Sequence, residues 1–173
     1  MKKILGTQLR FLVFSILFFG GVYTAVITGV GQLLFSNQAN GSQRMVEGEV
    51  VGSTLIGQQF LQPGYFAGRS NAVSQLSPVS AEQETLVSDR KTALQRENQI
   101  TEVPVDLVTA SASGVDPHIT VAAAEVQVPR IAKERNRKET AIRAIIKEKT
   151  QKDWFSDRTF VNVLELNLAL DKL

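Results

Sequence analysis

Two hydropathy patterns divide the chain. No charged residue occurs between Arg10 and Arg44, and Phe11 to Phe35 is dominated by Phe, Leu, Val and Ile with scattered Gly and Thr. A helix over those positions, at about 1.5 Å per residue, is roughly 37 Å long. The hydrocarbon core of a bilayer needs about 30 Å. An isolated segment can satisfy its backbone in lipid only as a helix, so the pattern predicts one transmembrane helix over 11–35. The competing reading is a cleaved signal peptide. It fits less well, because a signal core is usually about 7–15 residues long, and Tyr23-Thr24-Ala25 and Asn37-Gln38-Ala39 are poor small-x-Ala cleavage sites. Gly21, Ala25 and Gly29, flanked by Gly20, Thr24 and Thr28, form rows of small residues. Such rows let another membrane helix approach closely, although Gly and Thr are also simply common in membrane helices.

Beyond the apolar run the period changes. Residues 36–44 contain the polar Ser36–Ser42 stretch and read as a linker, and residues 45–173 read as one compact α+β domain. Met45–Phe60 is rich in Val, Ile and Thr punctuated by Gly48, Gly52 and Gly57, which predicts short strands before a turn at Pro63-Gly64. Ser80 starts a helix with Glu82 and Glu84 in its first turn, Leu86, Val87, Ala93 and Leu94 on its buried stripe, and an end near Asn98. Val105–Ala110 after Pro104 predicts a strand. Asp116-Pro117 predicts the start of a helix over Ile119–Val128, with Pro129 at a kink or in the first turn of a further helix. Lys138–Lys149 is amphipathic, with Ile142, Ile145 and Ile146 on one side. Phe160–Leu170 alternates like a strand and predicts one that gives way to a helical turn.

Charge adds a direction. Three of the 19 basic residues, Lys2, Lys3 and Arg10, lie in the first ten positions with no acid among them, so the net charge of +2 resides wholly at the N-terminus. The positive-inside rule then puts residues 1–10 in the cytoplasm and residues 36–173 outside it. Composition excludes several classes of chemistry. Without Cys there is no disulfide scaffold and no thiolate site, and His118 is the only histidine, so no two-His metal site can form. The basic run Lys133–Lys138 is interleaved with Glu134 and lacks aromatics, which reads as a solvated helix face and gives no nucleic-acid partner. There is no phosphate-cradling Gly-Lys loop, no dinucleotide fingerprint and no nucleophile elbow. Ser113, Asp116 and His118 share one segment, but a catalytic triad is recognised by geometry and not by proximity in sequence. No catalytic residue and no metal ligand set is assigned.

The most unusual stretch is Val105–Thr120, VDLVTASASGVDPHIT. Its small residues would admit another backbone closely. It reads either as a tight connection whose hydroxyls and Asp116 cap the following helix or as a binding loop.

At this stretch the sequence resembles the C subunit family of the Kdp-type potassium-transporting P-type ATPase. The resemblance runs over nearly the whole chain. It is carried by Gly20-Gly21-Val22-Tyr23, Gln38-Ala39-Asn40-Gly41-Ser42, Leu55-Ile56-Gly57-Gln58 and Gly68-Arg69. Its longest blocks are Val103 to Gly114, Asp116-Pro117-His118-Ile119 and Val161 to Asp171. It departs at Ser70, where the family usually has Pro, at Val115 for Leu, in the Ser156–Phe160 stretch, and in lacking a Ser-Gly-Gly-Ser-Asn loop between Asn71 and Ser80.

The resemblance implies a single-pass accessory subunit of the cell membrane that is not itself an enzyme. Its partners would be a channel-like potassium-translocating subunit, a P-type ATP-hydrolysing subunit, a small single-helix subunit and the bilayer. Two roles are implied. One is a catalytic chaperone that raises the ATP affinity of the hydrolysing subunit, through a likeness of the Ser-Gly-x-Asp region to the signature motif of ABC ATPases. The candidate nucleotide contacts are then Ser111, Ser113, Gly114 and Asp116, with Gln127 as a further polar candidate. ATP would be held only in a ternary complex and no cofactor by this chain alone. The other role is a cap over the external mouth of the potassium-translocating subunit, which stabilises the assembly. From the residues alone, an independent membrane-anchored binding protein or hydrolase with a pocket around Asp116 and His118 is the alternative, and a purely structural anchor is a third.

Overall fold

The computed structural model describes residues 2–71 and 75–173, in two compact units, Met1–Gln43 and Arg44–Leu173. The segment between Asn71 and Ser80, where the family's loop is missing, falls partly on residues 72–74, outside the described residues.

Most of the first unit is one long helical run. It comprises α1 (Lys2–Ser15), a π-helical stretch (Ile16–Tyr23) and α2 (Thr24–Leu34). Lys2, Lys3 and Arg10 lie on the same helical run as the apolar residues. Ile4–Leu34 is long and apolar enough to cross a membrane, with a mean hydropathy of 2.1 over its most apolar 18 residues, none of which is buried. The wider turns of the π stretch coincide with Gly20-Gly21. They are accompanied by a bond from Thr24 Oγ1 to the Phe19 carbonyl, five residues back, at 2.9 Å. Phe35 ends the helix at φ −136°, and the single turn α3 (Ser36–Ala39) follows. Paired amides of Gln32 and Asn40, 3.1 Å apart in both directions, tie that turn to the end of α2.

A hairpin follows, β1 (Gln43–Val46) and β2 (Glu49–Ser53), and all of it from Arg44 onward belongs to the second unit. Its two-residue turn has Glu47 at φ 52° and Gly48 at φ 87°, the double left-handed geometry whose twist matches paired strands. Residues 54–71 form no regular element. Helix α4 (Ala81–Asn98) starts as its sequence predicts, with the Ser80 hydroxyl accepting from Gln83 N–H at 3.3 Å and Glu82 and Glu84 in the first turn. Left-handed Gln99 (φ 55°) closes it.

Two predicted elements are corrected. The strand expected over Val105–Ala110 is the one-turn helix α5 (Val105–Val108). Leu107 and Val108 reach the core from it. The turn bonds Leu107 N–H to Pro104 O and Thr109 N–H to Val105 O, which outweighs the β preference of its valines. The helix expected over Ile119–Val128 is a strand, β3 (His118–Thr120), then α6 (Val121–Glu125), and Asp116 does not start it. Thr120 does, accepting from Ala123 N–H at 3.2 Å. Pro129 sits in the first turn of α7 (Val128–Glu134), where its missing N–H costs nothing.

Helix α8 (Glu139–Lys149) buries Ile142, Ile145 and Ile146 as its period predicts. The last segment has the predicted order but a different balance, since β4 (Gln151–Lys152) and β5 (Thr159–Asn162) lead into two turns of helix α9 (Val163–Leu170). The sheet order is β3-β5-β4, all antiparallel, with His118 opposite Asn162 and Gln151 opposite Phe160. Helices α6 to α9 enclose the core with Ile119 and Val161 of the sheet and with Phe66, which no regular element carries. Burying one such side chain contributes roughly 1.5–3 kcal/mol.

Candidate functional site

The Ser111–Pro117 loop is held by its own side chains. Ser111 Oγ accepts from Asp116 N–H at 3.3 Å, Ser113 Oγ from Val115 N–H at 3.3 Å, and Asp116 Oδ1 from His118 N–H at 3.0 Å. The two serine hydroxyls lie 3.4 Å apart. Gly114 supplies the left-handed backbone of the turn at φ 72°. The hydroxyls and Asp116 therefore bond within the connection and do not cap α6. The small residues do admit a second backbone. Gly57 N–H donates to Val115 O at 2.7 Å, and a Cβ on Gly57 would lie 2.7 Å from Asp116 O. The space left between this loop and residues 56–59 is about 10 Å³, room for about one water.

Arg69 stands out in the sequence only beside Gly68, in a pair shared with the family, yet it is the cation of this loop. Its Nη1 lies 3.4 Å from Asp116 Oδ2, and its Nη2 donates to Ala110 O at 3.2 Å and Thr109 Oγ1 at 3.3 Å. Its Nε is buried without a hydrogen-bond partner among the described residues. On the outer side of Asp116, a groove of about 220 Å³ is lined by Arg69, Asp106, Asp116, His118, Asp153 and Arg158 among others. That is below the roughly 300–1,000 Å³ of small-molecule pockets. His118 Nδ1 is 3.4 Å from Asp116 Oδ1, and its ring sits edge-on to Phe160 at 4.8 Å. The serine hydroxyls are engaged inside the loop instead. Among the described residues no group of three His, Cys, Asp or Glu can hold a metal ion.

Thus Ser111, Ser113, Gly114 and Asp116 come together. Gln127 has a separate set of partners. It is fully buried, and its amide pairs with the backbone of Ala67, Oε1 accepting at 2.8 Å and Nε2 donating at 3.1 Å. Nε2 also donates to Ala123 O at 2.9 Å and Oε1 also accepts from Arg130 Nη2 at 3.0 Å, so both donors and both acceptor sites are used. Asn167 holds Phe66 in the same way, at 2.9 and 3.0 Å. Arg130 donates to Asn98 Oδ1, Tyr65 O and Pro63 O, and Arg135 to Gly64 O, while the Arg135 guanidinium lies 4.6 Å from the Tyr65 ring centre. Burial pulls the Arg130 guanidinium below its ordinary value, against the opposing pull of Glu97 and Glu134. These long-range clamps fix residues 63–67, and nothing in the local pattern signalled them.

The family described as "KdpC: K+-transporting ATPase, c chain" matches residues 5–172. A potassium-transporting ATPase KdpC subunit of Yersinia enterocolitica is 44% identical, over 88% of this chain and 84% of its own length. That of Koribacter versatilis is 39% identical over 99% and 95%, and that of Mycobacterium tuberculosis 39% over 99% of each. With one N-terminal apolar helix, a mixed helix-and-sheet domain and a match over almost its full length, this chain belongs to the KdpC family, the c chain of K+-transporting ATPases.

Proposed function

We propose that this chain is a non-catalytic accessory subunit of an ATP-driven potassium import complex, and that its work is to assemble and cap that complex. The observation that carries this is the family match over residues 5–172, which spans the apolar helix and the domain alike. The helix crosses the membrane once with its basic end in the cytoplasm, and the domain lies outside. It meets the channel-like potassium-translocating subunit there. The ATP-hydrolysing subunit and a small single-helix subunit complete the assembly.

The loop geometry favours assembly over direct nucleotide contact. Gln127 has no free valence, and Ser111, Ser113 and Asp116 accept from backbone N–H groups of their own connection. Behind the loop there is space for about one water. Ser111, Gly114 and Gln127 are buried, so a nucleotide role for them would need the loop to open in a ternary complex, whereas Ser113 and Asp116 already border solvent. An extracytoplasmic domain would also be separated from cytoplasmic ATP.

The test is protease accessibility of a C-terminal tag, combined with co-purification. Cleavage in intact cells and recovery of large membrane partners with the tagged chain support the cap. Cleavage only in inverted vesicles puts the domain on the ATP side and makes the chaperone role the leading mechanism. Recovery of the chain alone, with an activity of its own, returns the independent hydrolase.

A further inference from the structure

The tip of the β4–β5 hairpin is ordered but covers nothing. Asp153 organises it, with its N–H donating to Arg158 O at 3.0 Å, Oδ1 accepting from Phe155 N–H at 3.2 Å and Oδ2 from the Ser156 hydroxyl at 2.8 Å. Lys152 and Asp157 pair across it at 2.8 Å. On this braced turn Trp154 and Phe155 stand 94% and 97% exposed. Single exposed apolar residues are ordinary, but two adjacent, nearly bare aromatics call for a cover.

The size of the feature selects the cover. Two aromatic side chains bury together roughly 300–500 Å², whereas a stable protein interface takes about 800 Å² per partner. The neighbours at the tip, Lys152, Asp157, Arg158 and Thr159, are polar, so the apolar patch does not extend further. A bilayer interface suits such a feature, because Trp rests with its ring at the acyl boundary and its N–H among the headgroups. The tip's two cations, Lys152 and Arg158, are balanced by Asp153 and Asp157, so the contact rests on the two aromatic rings. Chain length keeps a bilayer within reach, since only Phe35–Gln43 separates the apolar helix from Arg44, roughly 23 Å with Ser36–Ala39 helical and the rest extended. Arg44 and Gln151, at the base of the hairpin, line one groove.

We propose that the β4–β5 tip is a second membrane contact, in which Trp154 and Phe155 seat in the headgroup layer of the bilayer that carries the chain's own helix. This rests on the spanning reading of that helix. A shallow contact of this kind would fix the domain's orientation at the membrane surface, which a nine-residue linker cannot do alone.

Trp154 is the only tryptophan, so the fluorescence of the unlabelled full chain reports this site. The experiment reconstitutes the chain, without other subunits, in phosphatidylcholine–phosphatidylglycerol vesicles. Emission is compared with and without brominated acyl chains, and with aqueous acrylamide. Blue-shifted emission, strong quenching by brominated lipid and weak quenching by acrylamide are expected. Phe155→Ser should lower the brominated-lipid quenching, while Leu61→Ser, at another highly exposed apolar site, should not. Emission that stays that of a wet indole in a chain resisting alkaline carbonate extraction overturns the proposal and leaves the spanning reading intact. Shielding that arises only when the other transport subunits are added also overturns it, in favour of a protein contact. A chain extracted by carbonate fails the spanning reading and takes the proposal with it.

Discussion

The segment Pro63–Ala67 and the loop Ser111–Pro117 are both irregular and both lie beside the core, yet they are held in opposite ways. The first borrows its partners from positions 60 to 101 residues distant, namely Gln127, Arg130, Arg135 and Asn167. The second turns on Ser111, Ser113 and Asp116, which accept from backbone N–H groups no more than five residues away, with Arg69, Gly57 and Val163 tying it to distant segments. Long-range clamps are part of the tertiary fold, so losing one exposes buried backbone that has no alternative partner. Turn bonds are replaceable by water at a half-exposed surface. A run of Ser, Gly and Asp can therefore look like a binding motif while serving as turn chemistry, and a lone buried Gln can look incidental while holding two segments together.

If that contrast is right, the largest effect belongs to Arg130→Met. The side chain is 9% exposed and serves Asn98, Pro63, Tyr65 and Gln127 at once. Its removal leaves the buried Asn98 Oδ1 and the half-buried Tyr65 carbonyl without that donor, and a loss of about 3–5 kcal/mol is expected. Gln127→Leu preserves bulk but leaves the Ala67 N–H and C=O unpaired, for about 2–4 kcal/mol. Both are read as shifts in the denaturant midpoint by far-ultraviolet circular dichroism of the full chain in mild detergent. Trp154 emission is a poor probe of unfolding, because the indole is already exposed. A Gln127→Leu chain with an unchanged midpoint would mean that its amide is not structural, and would free it for a ligand.

Gly57→Ala tests where the two kinds of segment meet. The new methyl would lie 2.7 Å from the Asp116 carbonyl, a backbone atom that cannot swing away. The Gly57–Val115 hydrogen bond must lengthen, and overpacking of this kind costs typically about 1–3 kcal/mol. Accelerated cleavage near residues 111–116 in limited proteolysis would show that the loop has been lifted. If the midpoint and the cleavage pattern stay as in the parent chain, the loop has slack and the space behind it can expand to admit a ligand.

The same contrast separates what was legible in the sequence from what was not. Helix α4 carries its start signal within four residues, Ser80 to Gln83, and α8 shows its buried face in Ile142, Ile145 and Ile146. Both signals are local, and both elements were predictable. The cluster of Ser111, Ser113, Gly114 and Asp116 was visible for the same reason. Helix α5 reads as a strand in the sequence because four residues carry no period and its valines favour strands. The alternating leucines of α9 misled because Val163, Leu164, Leu166 and Leu170 are all buried, and a helix covered on most sides loses its 3.6-residue stripe. The clamp from Gln127 to Ala67 spans 60 positions, and no window short enough to show periodicity contains both ends.

The smallest effect, and the sharpest for function, is that of Ser113→Ala. The hydroxyl accepts one bond, from Val115 N–H at 3.3 Å, and lies 3.4 Å from Ser111 Oγ. Both distances are long and the loop borders solvent, so the change should cost at most about 1 kcal/mol. A turn-forming serine predicts a slightly lower midpoint and an unaltered KM for ATP in the assembled complex. A serine that contacts nucleotide predicts the reverse, an unchanged midpoint with a KM raised several-fold. Stability and KM are independent readouts, so the pair decides between the roles even though the energy is small. The contrast with Gln127→Leu sharpens the decision, because a clamp mutation lowers the yield of complex without changing the KM of what assembles.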